Sequence, residues 1–448
     1  MRTEHLRARI AYGIRLLATA ASAVLLAVGA AHAASPAPGS ADAARRIVVA
    51  IADKPDPAAS AGSIPRGYAG LPDYAGSARS ARDAARLASD YSLHEVSAWT
   101  IEPLHLRCML MEVPDGSDRD ALLARLQHDA RVRLAQPLQE FRTLDMPPSS
   151  PPAPARADPA LSYNDPYVGL QRGFSAIDAG AAQQRSRGEG VKVALIDTGI
   201  DGAHPDLAGR IDAQRDFVDT PADAADLDRH GTEVAGVIAA VANNRVGIVG
   251  IAPGTRLLSY RACWPAQANA GEARCNTYTL ALALGAAITS RARLINLSLG
   301  GPHDPLLAEL VAEAIARGAI VVGAVAPGGA DGFPVDVPGV IAVRATGDAA
   351  AARPALAAPG EDILTLEPGG HYDYASGSSL ATAHVTGAVA LLLQLDGSLD
   401  GARAFALLER SRRDPSAPID ACVAVNELRP ADHACGRASM GEPAHAAR

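Results

Sequence analysis

The chain has 448 residues and a formal net charge of −8, with 48% hydrophobic, 20% charged and 4% aromatic residues. That length corresponds to about three domain-sized units, and the apolar content excludes wholesale disorder. The mildly acidic balance offers no field for a polyanion, which argues against nucleic acid or an anionic lipid surface as partner.

Residues 1–33 read as an export address. Arg2, Arg7, Arg9 and Arg15 precede an apolar run that starts at Leu16 and ends before Ala31-His32-Ala33, an A-x-A cleavage pattern. This predicts a secretory signal peptide cut after Ala33 and a secreted or periplasmic product free of the membrane. A transmembrane anchor is the alternative, but a bilayer span needs about 20 apolar residues. Export also permits disulfides.

Residues 34–145 form the first structural unit. Arg46–Ala52 predicts a buried strand and Ser77–Tyr91 a helix with Ser77 as its cap. His94–Ile101 and Leu104–Val113 predict two strands. Ser117 is placed to cap a helix through His128, in which Leu122, Leu123 and Leu126 keep helical spacing. Val132–Leu138 supplies a last strand. The order β-α-β-β-α-β is that of a small ferredoxin-like α+β unit. Residues 146–160 follow, opening Met146-Pro147-Pro148-Ser149-Ser150-Pro151-Pro152. That proline density predicts an extended linker, either a plain spacer or a processing site.

From residue 161 to about 415 strands alternate with helices. Val191–Ile196, Arg256–Cys263, Leu294–Leu299, Ala319–Ala324 and Val340–Ala345 read as strands. His230–Ala242, Thr279–Ser290, Asp304–Arg317 and Ser379–Leu395 read as helices. This predicts an α/β fold with a doubly wound, mostly parallel sheet flanked by helices. Ligand sites in such sheets lie at the carboxyl ends of strands. Three residues stand at such places: Asp197 after the first strand, His230 opening a helix, and Ser379 opening the late helix. Each alone has a plain structural reading as a turn, capping or core residue. Together they supply a nucleophile, the base that activates it and the carboxylate that orients the base.

The chain order Asp, His, Ser and the surrounding motifs resemble the subtilisin family of serine peptidases. The resemblance rests on Val193–Gly199 with His204-Pro205-Asp206-Leu207, on His230–Gly236, on Gly247–Pro253, on Ile295–Gly301, and on Gly377–Gly387. It implies a serine endopeptidase that hydrolyses peptide bonds through an acyl-enzyme, with Asp197 as orienting acid, His230 as base and Ser379 as nucleophile. It implies that Ser298-Leu299-Gly300 pairs with extended polypeptide substrate, forming one wall of the groove. Residues 34–145 then resemble the family's propeptide, a self-inhibitor whose C-terminal end lies in the cleft and is cut autocatalytically.

One motif departs from the family. Val325-Ala326-Pro327-Gly328-Gly329 places proline where an Asn amide normally donates to the oxyanion, and no Asn occurs between Asn296 and Asn426. Proline has neither a side-chain donor nor a backbone N–H. The enzyme either uses backbone donors, from Ser379 and from Gly328 or Gly329, or is a degenerate relative acting as a binding or chaperone-like module.

Other readings are local. Cys263 with Cys275, and Cys422 with Cys435, are close enough to pair, leaving Cys108 alone. No C-x-x-C occurs, so metal binding by these cysteines is the weaker alternative. No cofactor is required by this chemistry. A structural Ca²⁺ is the one ion considered, with Asn244 in Asn243-Asn244 as ligand and an ordinary turn as the alternative. His204 and His384 read as packing residues, Phe333-Pro334 as a tight turn that could be cis, and residues 416–448 as an extension ending in a flexible tail.

Overall fold

The computed structural model describes residues 44–53, 77–146, 163–218, 229–266, 272–430 and 435. The signal peptide read at 1–33, the linker after Met146 and the tail from 436 lie outside the described residues.

The N-terminal unit has the expected order: β1 (Arg46–Ala52), α1 (Ala78–Asp90), β2 (His94–Ile101), β3 (Leu106–Glu112), α2 (Arg119–Gln127) and β4 (Val132–Pro137). The sheet order is β2-β3-β1-β4, antiparallel throughout, as in a ferredoxin-like unit. Ser77 caps α1, accepting from Ser80 N–H. The cap of α2 is Asp118 rather than Ser117: its carboxylate accepts from both Asp120 and Ala121 N–H, and an anion also suits the positive end of the helix.

The period-2 geometry of a strand explains why β1 is apolar on both faces. Ile47, Val49 and Ile51 pack beneath α1 and α2. Val48 and Ala50 face the opposite way and join a cluster with Leu280, Leu284, Leu306 and Leu310. The second face therefore lies on two helices of the α/β unit, α4 (Thr277–Thr289) and α5 (Pro305–Ala316). Polar contacts support the same docking. Gln136 Oε1 accepts from Leu306 N–H, 3.1 Å, and Gln139 C=O accepts from Thr277 N–H, 3.1 Å. Both donors belong to first turns that no helical carbonyl can satisfy. Cys108 is a free, buried thiol in this face.

The α/β unit is built on a seven-stranded parallel sheet in the order β16-β15-β14-β12-β7-β9-β8. Its strands are β7 (Lys192–Asp197), β8 (Ile211–Asp216), β9 (Arg256–Arg261), β12 (Leu294–Leu297), β14 (Ile320–Ala324), β15 (Ile341–Ala345) and β16 (Leu356–Ala358). The helix α3 (Arg229–Ala239) and the long helix α6 (Ser378–Leu395) pack on one face. Strands β8 and β16 have no periodic signal in the sequence; each is an edge of the sheet and is set by its parallel neighbour. A hairpin of β17 (Ile363–Glu367) and β18 (His371–Gly377) leads into α6. Helix α6 has the length and apolarity of a membrane span, but 89% of that window is buried, so it is the central core helix.

The α/β unit continues past residue 415. Helices α7 (Gly401–Ser411) and α8 (Ala421–Leu428) close it, with Ala421, Cys422, Ala424 and Val425 in the main core. Cys422 is bonded to Cys435, and Cys263 to Cys275. The second pair staples the two facing strands β10 (Cys263–Pro265) and β11 (Ala273–Asn276), in which Cys263 and Cys275 stand directly opposite. Closing a loop of that size restricts the unfolded chain by about 3 kcal/mol. Cys263→Ser with Cys275→Ser is thus expected to lower the guanidinium unfolding midpoint by a corresponding amount; an unchanged midpoint would mean the strands alone hold the hairpin.

Candidate active site

Asp197 is the last residue of β7, one position inside the strand rather than after it, because it still pairs with Arg261 of β9. Its Oδ1 accepts from Thr198 N–H at 2.7 Å and from His230 Nδ1–H at 2.6 Å. His230 sits in the first turn of α3 and is 2% exposed. The two elements touch because Gly231 has no side chain: a Cβ there would collide with the carbonyl oxygen of Gly199. Thr198 Oγ1 closes the contact by accepting from Gly231 N–H, 3.0 Å. With Nδ1 donating to Asp197, Nε2 is left as the working atom of the imidazole.

Ser379 lies in the first turn of α6, fully buried. Helix dipoles and free N–H groups at that end favour negative charge on a bound carbonyl. Ser298 Oγ donates to the Ser379 carbonyl, 3.1 Å, and Asn296 Nδ2 donates to Ser298 Oγ, 2.9 Å. Thr386 on the same helix donates to Asn296 Oδ1, 2.8 Å. This buried chain fixes β12 and the residue after it against α6. The sequence-selected residues Asp197, His230, Ser379 and Ser298 are thus gathered in one place.

The cleft above them is occupied by the chain's own residues 140–146. Strand β5 (Glu140–Thr143) is inserted between β11 and β13 (Leu299–Gly300), antiparallel to both. Leu299 pairs with Thr143 and Gly300 with Arg142. Strand β6 (Asp145–Met146) then pairs with β18, Gly377 opposite Asp145. Both edges of β5 are therefore satisfied, as expected for a peptide bound by β-augmentation. The wall made by β11 was not legible in the sequence, since its short strand has no periodicity of its own. Phe141 is fully buried, edge-on to Phe333 at 5.5 Å, and a Cβ on Gly301 would strike its ring. The Phe333–Pro334 peptide beside it is cis.

This insertion changes the partners of the working atoms. Leu144 N–H donates to Ser379 Oγ at 3.2 Å, and Ser379 Oγ is 3.4 Å from the Ser298 carbonyl oxygen. His230 Nε2 makes no hydrogen bond among the described residues; Asp145 Oδ1 lies 3.2 Å from it as an ion-pair contact. Burial penalises charge on His230, but the carboxylates of Asp145 and Asp197 outweigh it and hold the imidazolium well above the usual imidazole value.

After β14 the chain runs through Val325 and Ala326 into a single tight turn, Pro327–Gly329, with Gly328 at φ 80°. Val325, two residues before Pro327, touches the start of α6: its carbonyl accepts from Ser378 Oγ at 2.8 Å. Of the two glycines read as backbone donors, Gly329 is spent: its N–H donates to Ala326 C=O, 3.0 Å. Gly329 instead gives room to Ala350, whose carbonyl a Cβ would crowd.

Asn244 is bonded both to Asp206 and within its own loop. Its Nδ2 donates to Asp206 Oδ1, 2.8 Å, and its Oδ1 accepts from Val246 N–H, 2.8 Å. Asp206 Oδ2 accepts from Ile248 N–H. Burial lifts the Asp206 carboxyl to about 6 against these stabilising bonds. Among the described residues no three His, Cys, Asp or Glu side chains are grouped to hold a metal. These bonds hold the loop as a turn around Asp206.

His384 is buried and neutral, lowered to about 4 by burial, with Nδ1 bonded to Leu380 C=O. Gly173 leaves room for its other edge. His204 accepts from Asp206 N–H through Nδ1, so Nε2 carries the proton and donates to His371 C=O, 3.1 Å. Both are packing residues. A separate cavity of about 740 Å³ is lined by His105, Ile288, Arg291, Arg293 and Ala314; none of Asp197, His230 and Ser379 lines it.

Comparison with known proteins agrees with this geometry. Residues 188–421 match the subtilase family. The chain is 39% identical over 247 residues to an intracellular serine protease of Paenibacillus polymyxa, covering 50% of this chain and 73% of that protein. It is 35% identical over 253 residues to thermitase of Thermoactinomyces vulgaris, covering 54% of this chain and 88% of that one. The crystal structure of fervidolysin from Fervidobacterium pennivorans, described as a keratinolytic enzyme related to subtilisin, superposes with a TM-score of 0.65 at 23% identity. That likeness, one of fold, covers 85% of this chain and 60% of fervidolysin. The chain therefore belongs to the subtilase family of serine-type endopeptidases.

Proposed function

We propose that this protein is an exported endopeptidase that cuts polypeptides through Asp197, His230 and Ser379, and is made as a precursor held inactive by residues 34–145. The observation that carries this reading is the 2.6 Å Asp197–His230 contact facing a peptide segment laid across Ser379 in strand pairing. Ser379 Oγ attacks a substrate carbonyl carbon while His230 Nε2 takes its proton. The same proton passes to the leaving amine, and water then releases the acyl group as a carboxylate. The sequence consumes water only and calls for no cofactor. Export is supported by the residues 1–33 pattern and by two disulfides. The test is fluorophosphonate labelling of the processed protein together with cleavage of a denatured protein, each compared with Ser379→Ala. Labelling and cleavage that vanish in the variant support the reading; neither in the natural chain would overturn it.

Pro327 favours one second reading, a degenerate binding module, because it removes the side-chain donor at the developing oxyanion. The same experiment separates the two: a binding module retains polypeptide without labelling.

A further inference from the structure

The registry of residues 140–146 selects one peptide bond. Gly300 pairs with Arg142 and Leu299 with Thr143, so Leu144 falls level with Ser298 and beside Ser379. The Leu144 carbonyl oxygen lies against Gly377, where a Cβ would collide with it, at the N-terminus of α6. This is where an oxyanion would be stabilised. Phe141 anchors the segment on one side of that carbonyl and the β6–β18 pairing on the other. The next residue, Asp145, carries the nitrogen that would leave and also the carboxylate 3.2 Å from His230 Nε2.

Self-cutting is what the family resemblance implies, and the register places it at Leu144–Asp145; we propose that the Asp145 carboxylate is a latch that delays this cut by pairing with the catalytic imidazole. The proposal rests on the peptidase reading above. Cutting requires Ser379 Oγ to bond to the Leu144 carbonyl carbon as its proton moves to His230 Nε2. That proton then goes to Asp145 N as the C–N bond breaks, and water hydrolyses the acyl-enzyme to a Leu144 carboxylate. An imidazolium paired with Asp145 has no lone pair at Nε2 to accept the first proton. The same residue therefore supplies both the leaving group and the brake.

The latch depends on pH in a definite direction. Asp145 from β6 and Asp197 from β7 face His230 and raise it against the penalty of burial. Glu233, one turn along α3, is itself buried and raised; it pairs with Arg229, which also meets Glu367 of β17 and feels Asp373 of β18. A base held above its ordinary value keeps its proton, and the pair, until the pH passes that raised value. Self-cleavage is therefore slow at low pH and accelerates as pH rises.

The test uses the full chain, refolded at low pH and shifted across a pH series, with intact mass and N-terminal sequencing as readouts. The natural chain is expected to yield fragments ending at Leu144 and beginning at Asp145, faster at higher pH. Asp145→Asn is expected to speed the reaction about tenfold or more below neutral pH, the general effect of removing one close opposite charge, and to move the pH profile downward. Asp145→Glu keeps the charge and should keep the slow acidic limb. Cleavage at another bond, or an Asp145→Asn chain with unchanged rate and profile, overturns the inference. Fluorophosphonate labelling of Ser379 without cleavage at Leu144–Asp145 overturns the inference alone. Absence of both labelling and Ser379-dependent cleavage overturns the peptidase reading, and the inference with it.

Discussion

Replacing Ser379 with alanine is expected to leave the chain folded, uncut and inert toward polypeptides. In subtilisin, loss of the nucleophile costs about 2 × 10⁶ in kcat; that value belongs to subtilisin, and a loss of the same order is expected here. The fold should survive. Ser379 is fully buried, and its Oγ accepts from Leu144 N–H at 3.2 Å. Losing one such bond costs about 1 kcal/mol. The sheet, α6 and both disulfides are untouched. Adding His230→Ala to the Ser379→Ala chain should reduce activity little further, because the members of a triad act as one unit. The measurement is hydrolysis of a fixed peptide by processed protein, or by protein in which residues 34–145 were removed by a second protease. Activity within tenfold of the natural chain would exclude Ser379 as the nucleophile.

Pro327→Asn is expected to raise kcat by about 10²-fold with little change in KM. Removing the equivalent amide from subtilisin costs about 10²–10³ in kcat, or about 2.7–4 kcal/mol; the reverse substitution is expected to recover the lower part of that range. The physical reason is differential binding. A donor placed at the oxyanion acts on charge that exists in the transition state and barely on the ground-state carbonyl. The local backbone favours the exchange. Ala326 is extended at φ −64° and ψ 150°, as residues before proline are, and Asn accepts the same helical turn. Gly329 N–H is already bonded to Ala326 C=O, which removes one of the backbone donors that the sequence offers. A kcat unchanged or lowered in Pro327→Asn, with the fold intact, would show that backbone groups already saturate the oxyanion.

Much of the molecule was legible before its structure. The β-α-β-β-α-β order of residues 46–137 was readable because each strand and helix has its own period and caps. The four-stranded order β2-β3-β1-β4 follows once that order is known. The apolar runs at 191–196 and 319–324 predicted buried parallel strands, and both lie in the seven-stranded sheet. Helix ends moved by one to three residues where a side chain outside the apolar run took the cap. Asn276 caps α4 with Thr279 in a reciprocal box, and Asp304 caps α5. The cysteine pairs were readable from spacing alone, because a short loop can be closed almost only locally.

Asp197, His230 and Ser379 could be singled out from sequence because each sits at an element's end within its own motif. The sequence alone determined the α/β class and the N-terminal α+β unit, and it singled out Asp197, His230, Ser379 and the proline at 327. Only the tertiary structure decided that residues 140–146 form the strand filling the cleft, since four residues of β5 and two of β6 have no period to detect and exist only as partners of β11, β13 and β18. It also decided that Asp145 faces His230 Nε2 and that Asn244 bonds to Asp206. The hydrogen bond from Leu144 to Ser379 joins residues 235 positions apart, and such contacts are fixed by the packing of the whole chain rather than by any local run of it.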